Sequence, residues 1–367
     1  MSREEFVFDT RFKLQYLHPR NWGAFIALGL LFILAWLPVC FRDGLAGLLS
    51  PLLVRFSKKQ CYIAKVNLRL CFPDMPESEV ESMVNDSVRV GLKAMLNFGE
   101  FTFRSRRYLS QRFDVEGAEH LREFREAGQP IIVLTPHTWA LDAGLWFALE
   151  GMPMCAFVHG AHNPVYDWFI NRQRMRFGGY VYERSMGIKS VVRSIRSGDS
   201  FYYLPDQDRG AELSIFLPFF GAQKATIPAL SKLSRLTKAP VVPTICGYDE
   251  NSRKYKIQIQ PALSDFPSRD EEGDALRMNQ CLEGMLRENL KQYMWFLKIF
   301  QTRPNGEVSP YEAGIKAIRE GKEPPHCLRG SAELDGAILV KWNAGQLAHL
   351  IQILFKIRWE LEIFHTG

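Results

Sequence analysis

The spacing of hydrophobic and polar positions changes character along the chain. First comes an uninterrupted apolar run, Gly23 to Phe41 (GAFIALGLLFILAWLPVCF), 19 residues without a charge, close to the length that crosses a bilayer's hydrocarbon. Arg11, Lys13, Arg20 and Arg42 flank it, and Trp22 and Trp36 stand where interfacial aromatics belong. The run is long, starts past residue 20 and is followed by no A-x-A-like site, which separates it from a cleavable signal peptide. It reads as a retained N-terminal membrane-anchor helix. Basic residues also follow it (Arg42, Arg55, Lys58, Lys59), so charge leaves the orientation open, and Pro38 keeps a half-embedded, non-spanning helix in play.

From residue 43 to 110 the period becomes helical. In PESEVESMVNDSVRVGLKAMLNFGEF the residues Val80, Met83, Val84, Ser87, Val88 and Gly91 recur on one face, with Pro73 and Pro76 punctuating the start. After FDVEGAEHLREFREAGQP the texture changes again. Apolar strand-like runs (131–135, 154–158, 179–182, 200–204, 240–246, 254–260) alternate with helical ones (138–150, 164–177, 188–197, 227–237). That alternation predicts an α/β fold, a mixed β-sheet flanked by helices. The organisation expected is a juxtamembrane segment 1–22, the anchor 23–41, a helical region 42–127, an α/β core 128–310 and an atypical tail 311–367.

Composition adds limits. Of 367 residues, 47% are apolar and 23% charged, enough for a sizeable core. A net charge of +6 suits an anionic membrane surface without demanding nucleic acid. No zinc-finger spacing or Arg-rich tract appears, so no nucleic-acid partner is expected. Seven cysteines (40, 61, 71, 155, 246, 281, 327) are scattered, without a C-x-x-C pair, as reduced thiols would be.

The chemistry concentrates at PIIVLTPHTWALDAGLW, 130 to 146. Pro136 closes a strand, Thr138 is a good N-cap, and WALDAGLWFALEG is expected to run as a helix to Gly151. His137 then precedes the helix and Asp142 lies in its first turns, where the two can meet. A carboxylate on one ring nitrogen fixes the tautomer and makes the other a better base for a hydroxyl proton. Without a G-x-S-x-G elbow or a neighbouring cysteine, the hydroxyl would belong to a substrate and the reaction would be direct group transfer. Taken alone, H-x-x-x-x-D has little specificity, and a strand-end histidine is commonly structural.

Three segments follow. NPVYDWFINRQRMRFGGYVYER carries Arg172, Arg174, Arg176 and Arg184; residues 167 to 196 hold seven Lys/Arg against two Asp/Glu, a local net of +5. Arginine forks grip phosphates and carboxylates, so this is a candidate anion site; a solvated helix face is the plain alternative. YYLPDQDRG ends a strand at Pro205 and then presents Asp206, Gln207 and Asp208, where sites of α/β sheets gather; without a third ligand, no metal is expected. FLPFFGAQKATIPALSKLSRLTKAPVVPTI supplies Phe216, Phe219 and Phe220, as core or as the lining of an acyl slot, with a turn at Gly221 and a helix from about Thr226. His159 and His162 read as structural or surface residues.

In order, His137–Asp142, GGYVYER ending at Arg184, YLPDQDRG and APVVP resemble the four blocks of the glycerolipid acyltransferase superfamily. HPRNWGA, NLRLCFPD, RFGG, LPDQD, FFG…KAT and QYMWFLKIFQTRPNGE narrow the resemblance to the late acyltransferases of lipid A biosynthesis, nearest the myristoyl-transferring branch, over about residues 5 to 311. The resemblance implies a thioester of acyl-carrier protein as co-substrate, with no further cofactor. It implies as acceptor a hydroxyl of a 3-hydroxyacyl chain on a Kdo-bearing lipid A precursor. His137 would deprotonate that hydroxyl and Asp142 orient His137, while Arg174, Arg176, Arg184, Asp206, Gln207 and Asp208 would bind substrate. Asp206–Gln207 in place of the superfamily's Glu–Gly makes a glycerol-3-phosphate acceptor a poorer expectation. It places the protein at the inner membrane, single-pass or monotopic, with the site open to the cytoplasm. Two alternatives stand beside it: another lipid acceptor such as a lysophospholipid, or a non-catalytic membrane-anchored carrier-protein-binding module. The tail after Pro310 departs from the family; Leu347, Leu350, Ile351 and Leu354 fall at amphipathic-helix spacing, whether as an interfacial helix or as foreign sequence.

Overall fold

The structure is a computed structural model and describes residues 8–158, 160, 163–183, 187–322 and 324. Two short 3-10 turns lead into α1 (Trp22–Trp36), and α2 (Val39–Phe56) follows after a break. The apolar run 23–41 is therefore divided between two helices. The cause is Pro38, which drives the residue before it out of helical geometry; Leu37 sits at φ −74°, ψ 152°. At 1.5 Å per residue, the 15 residues of α1 span about 22 Å, short of a hydrocarbon core of about 30 Å. Its face of Ala24, Ala27, Leu28, Leu31 and Leu34 is buried against the body, while Trp22, Ile26, Ile33 and Trp36 are exposed.

The helical layer continues with α3 (Lys58–Cys71), α4 (Glu77–Asn97), α5 (Glu100–Phe103) and α6 (Arg106–Ser110). Helix α4 begins after Pro76 and buries the stripe the sequence predicts, Val80, Val84, Ser87, Val88 and Gly91. The region read as wholly helical also supplies a strand, β1 (Phe113–Glu116), and then α7 (Arg122–Glu126). There follow β2 (Ile132–Leu134), α8 (Leu145–Leu149), β3 (Met154–Val158), α9 (Pro164–Arg174), β4 (Gly179–Glu183), α10 (Ile188–Arg196) and β5 (Ser200–Tyr203). A hairpin of β6 (Ile215–Phe219) and β7 (Ala222–Thr226), α11 (Leu230–Thr237), β8 (Val241–Asp249), β9 (Lys254–Ile259), α12 (Glu271–Arg287) and α13 (Glu312–Arg319) complete the described chain.

Seven strands form one sheet in the order β1-β9-β8-β2-β5-β3-β4. Its pairs are parallel except β8 with β9, so the sheet is mixed, as the alternating pattern predicts. The centre reads as continuous apolar sequence because helices cover both faces; Ile132, Val133 and Leu134 are buried.

Two local expectations change. The helix expected from residue 138 starts at Leu145, after a 3-10 turn over Leu141–Gly144. Thr138 caps nothing there: its hydroxyl donates to the Cys246 carbonyl at 2.5 Å, a tertiary bond that overrides its local preference. FLPFFGAQKAT forms the β6–β7 hairpin, and the helix expected from about Thr226 starts at Leu230; of the two alternatives for its phenylalanines, Phe219 and Phe220 take the core one, Phe220 packing with Phe219, Phe72 and Trp295. Cys40, Cys61, Cys71, Cys155, Cys246 and Cys281 are free thiols; burial pushes Cys61 and Cys281 up to about 11 and Cys246 up to about 12, so they are poor nucleophiles. The residues 347–354 of the tail lie outside the described residues.

Arg42, which flanks the apolar run in sequence, turns inward. It is 0% exposed and bonds Glu100 at 3.0 Å, whose other oxygen takes Arg112 at 2.9 Å. Beside it Asp43 accepts from Tyr248 at 2.8 Å and from Asn97 at 3.2 Å, tying α2 to α4 and β8. Removing one partner of a buried ion pair strands the other charge and costs about 3–5 kcal/mol. Glu100→Ala is expected to lose that much stability, read as a lower urea midpoint at unchanged slope, because it strands two guanidinium groups together.

Candidate active site

Two strand ends carry the reacting groups. Strand β2 passes through Thr135 and Pro136 to His137, and β5 through Leu204 and Pro205 to Asp206. Leu134 is registered against Tyr203, so His137 and Asp206 stand at equal distance beyond one paired position. Proline offers no N–H to the ladder, and in each strand it ends the pairing just before the functional side chain. Asp206 Oδ2 accepts the His137 backbone N–H at 2.8 Å, while Oδ1 meets the imidazole Nδ1. His137 is 6% exposed and Asp206 0%. A carboxylate facing Nδ1 makes that nitrogen the proton carrier and leaves the lone pair on Nε2.

The histidine loop is clamped from behind. Met294 N–H donates to the His137 carbonyl at 2.9 Å and Trp139 N–H to the Gln292 carbonyl at 3.0 Å, with Thr138 bridged to Tyr293. Trp139's indole N–H donates to Ser87 Oγ at 2.9 Å. Its ring lies over Gly91, where an added Cβ would come within 2.7 Å, so glycine is what lets α4 support this loop.

The sequence alone assigns the imidazole to Asp142; in the structure the carboxylate on Nδ1 is Asp206, and Asp142 takes Arg174 Nε at 2.8 Å. The pair Asp142–Arg174 joins the 3-10 turn after His137 to the end of α9. Of the other residues singled out, Gln207 lines the same cleft as His137, Asp142 and Arg174. Arg176 turns to the Phe101 carbonyl at 2.7 Å, and burial pulls its pKa down. Asp208 holds its loop to Thr302, accepting from its N–H at 2.6 Å and hydroxyl at 2.7 Å. Arg184, His159 and His162 lie outside the described residues. No cluster of metal-ligating side chains occurs among the described residues.

His137, Asp142, Arg174 and Gln207 line a cleft that is open to solvent. Its wall is apolar, built by Leu141, Leu145, Ala148, Met154, Ala156 and Val181. Arg209, which donates to Gln207, joins the polar mouth. Tyr202 closes one side, its hydroxyl donating to the Leu141 carbonyl at 2.9 Å. A Cβ on Gly144 would reach within 2.6 Å of the Tyr202 ring, so this glycine admits the aromatic wall. An apolar wall beside an imidazole and two guanidinium groups suits a ligand with both a hydrocarbon part and a polar end. Tyr202 and Arg209 lie within YYLPDQDRG and the Gln292–Met294 clamp within QYMWFLKIFQTRPNGE, but nothing in their spacing assigns any of them a place at the site.

Residues 9–302 match the family model described as bacterial lipid A biosynthesis acyltransferase. The chain is 37% identical over 301 residues to a lipid A biosynthesis acyltransferase of Haemophilus influenzae, covering 82% of this chain and 94% of that one. It is also 37% identical over 306 residues to a lipid A biosynthesis myristoyltransferase of Escherichia coli, covering 83% and 94%. A solved 1-acyl-sn-glycerophosphate acyltransferase from Thermotoga maritima aligns with 64% of this chain and 97% of its own at TM-score 0.32 and 15% identity.

Burial pushes the Asp206 carboxyl up, yet the His137 charge, its hydrogen bonds and Lys224 hold it below the usual carboxylate range. A depressed carboxylate adds stability above its unfolded pKa, near 4, and that stability is lost as pH falls through the lower folded value. Asp206→Asn is therefore expected to flatten the acid branch of the stability–pH curve below about pH 4, measured as melting temperature in detergent.

Proposed function

The chain belongs to the bacterial lipid A biosynthesis acyltransferase family, and from that membership we propose how its site works. The reaction moves a fatty acyl chain, myristoyl being the expected cargo, from a thioester of acyl-carrier protein to a hydroxyl on a 3-hydroxyacyl chain of a Kdo-bearing lipid A precursor. His137 Nε2 takes the hydroxyl proton. The oxygen attacks the thioester carbonyl, the C–S bond breaks, and the departing thiolate receives the proton back from the imidazolium. The observation that carries this reading is the His137–Asp206 pair at the mouth of an apolar cleft. Asp206 fixes the tautomer, Asp142 holds Arg174, and the Arg174 guanidinium receives an anionic part of a substrate. The acyl chain occupies the wall of Leu141, Leu145, Ala148, Met154 and Ala156.

The membrane placement follows the same logic. A carrier-protein thioester is cytosolic and the acceptor's chains lie in the inner leaflet, so the cleft opens at the cytoplasmic face of the inner membrane. Helix α1 seats one face on the protein and offers Trp22, Ile26, Ile33 and Trp36 to lipid, a monotopic seating.

The purified protein, given lauroyl, myristoyl and palmitoyl carrier-protein thioesters and the lipid A precursor, is expected to yield the acylated product by mass spectrometry, fastest with myristoyl. His137→Ala should abolish it, and Asp206→Asn should cut kcat by about 10²–10⁴-fold. Asp142→Asn should act mainly on KM, with a salt-sensitive loss. Near-normal turnover of His137→Ala overturns the mechanism; a larger kcat loss in Asp142→Asn than in Asp206→Asn returns the orienting role to Asp142.

The seating has its own test. Burying an isoleucine is worth about 1.5–3 kcal/mol, so Ile26→Glu/Ile33→Glu should weaken binding to anionic vesicles at least about 100-fold. Turnover of detergent-dispersed acceptor should persist. Unchanged vesicle binding would refute the role given to this face.

A further inference from the structure

Of the seven Lys/Arg between residues 167 and 196, Arg174 enters the cleft, Arg172 lies over Trp168 and Arg176 turns to Phe101. Lys189, Arg193 and Arg196 belong instead to α10, where a spacing of i, i+4 and i+7 puts all three on one exposed face. Helix α11 packs beside α10, and the Arg196 guanidinium donates to the Leu236 carbonyl at 2.8 Å, a neutral partner that leaves its charge in place. To this surface α11 adds Lys232 and, at its C-cap, Lys238, both exposed. Neither helix contains an acidic residue. Asp199, just after α10, is buried against Ser194, and Glu271 answers Arg235 at 3.5 Å. Lys189, Arg193, Arg196, Lys232 and Lys238 therefore share the outer surface of two joined helices, and Ile188 and Leu236 are exposed among them.

The sheet places this surface relative to the cleft and the lipid-facing helix. Tyr182 on β4 donates to Ser194 Oγ of α10 at 3.0 Å, whereas its neighbour Val181 lines the cleft together with Leu145 of α8 and Arg174 of α9. Neighbouring strand residues point to opposite faces, so α10 covers the face of the sheet away from the cleft. Helix α1, with its exposed apolar residues, packs on α9, which is the cleft side. The cations thus lie across the sheet from the surface suited to lipid, and this favours a protein over a bilayer as their partner. Helix α10 also leads from the end of β4 back to the start of β5, and β4, β3, β5 and β2 are parallel. Its first turn, with Ile188 and Lys189, therefore stands at the edge of the sheet where β2 and β5 release His137 and Asp206. A partner seated there holds a tethered thioester beside the edge that carries the reacting groups.

We propose that α10 and α11 form the docking surface for an acidic face of the carrier protein that delivers the thioester, with Ile188 and Leu236 as apolar contacts inside a ring of cations. The proposal rests on a carrier-protein thioester being the donor. A dock of this kind acts on encounter, and so on KM for the carried donor, and it weakens with salt.

Lys189→Glu/Arg193→Glu is expected to raise KM for myristoyl acyl-carrier protein at least about tenfold at low salt, with kcat held. Turnover of myristoyl-pantetheine, which presents the same thioester without the protein, should match the wild type. Lys232→Glu/Lys238→Glu, on the other helix, should act in the same direction. Added salt should raise the wild-type KM for the carried donor and narrow its difference from both variants. Equal losses with both donors would put the defect in the cleft or the fold, and an unchanged KM for the carried donor in both double variants would leave these cations a solvated face; either result overturns the proposal. So does weaker binding to phosphatidylglycerol vesicles with that KM unmoved, which assigns the surface to a bilayer. A wild-type protein that turns over myristoyl-pantetheine but no carrier-protein thioester would instead remove the donor reading beneath the proposal, an outcome distinct from a KM that the variants leave in place.

Discussion

A carboxylate with no exposure to water is the constraint on which the site depends. Asp206 is 0% exposed, and an ionised carboxyl at such a place is tolerable only if its oxygens are bonded and its charge is opposed. The protein meets these needs with His137, whose backbone N–H and ring nitrogen bond the two oxygens. These demands fix the local architecture. Adjacent parallel strands must end at one level, and each must release its next residue from the sheet. The paired register of Leu134 with Tyr203 and the prolines at 136 and 205 satisfy both. Function and fold meet here because the bonds that make the carboxylate tolerable also hold the base in one tautomer.

Much of this frame was readable in the residues. Runs 131–135 and 200–204 are strands because they are apolar throughout and closed by proline, and both fall in the sheet. His137 could be picked out since it follows such a closure. Its partner could not, because the argument from spacing reaches only as far as one helix turn or two. Asp206 comes from 69 positions away, and β3 and β4 intervene in sequence before β5 returns to pair with β2. Strand order is a property of the whole sheet, and no local period encodes it. Arg42 misled differently: beside an apolar run a cation suggests headgroups, whereas Glu100, 58 positions on, claims it.

Asp142 illustrates how a motif survives a change of partner. Its separation from His137 places it at the same cleft, and there it organises Arg174 at 2.8 Å. The short 3-10 turn over Leu141–Gly144 points the carboxylate across the cleft toward α9. The pairing expected within one peptide therefore resolves into two pairs, His137 with Asp206 and Asp142 with Arg174.

The anchor and the cleft are joined by the helix that carries that cation. Trp168 on α9 donates its indole N–H to the Thr10 carbonyl at 2.9 Å and packs edge-on to Phe12 at 5.3 Å, and α1 also touches α9. Leu14, Leu17 and Trp22 of this N-terminal segment are exposed, so apolar surface suited to lipid begins where Trp168 is held. From Trp168 to Arg174 is six residues of helix, about 9 Å along the axis at 1.5 Å per residue. Because it is bound to α9 through specific contacts, the N-terminal segment holds the exposed apolar residues of α1 in a fixed relation to the helix that carries Arg174, which a flexible tether of the same hydrophobicity would not do.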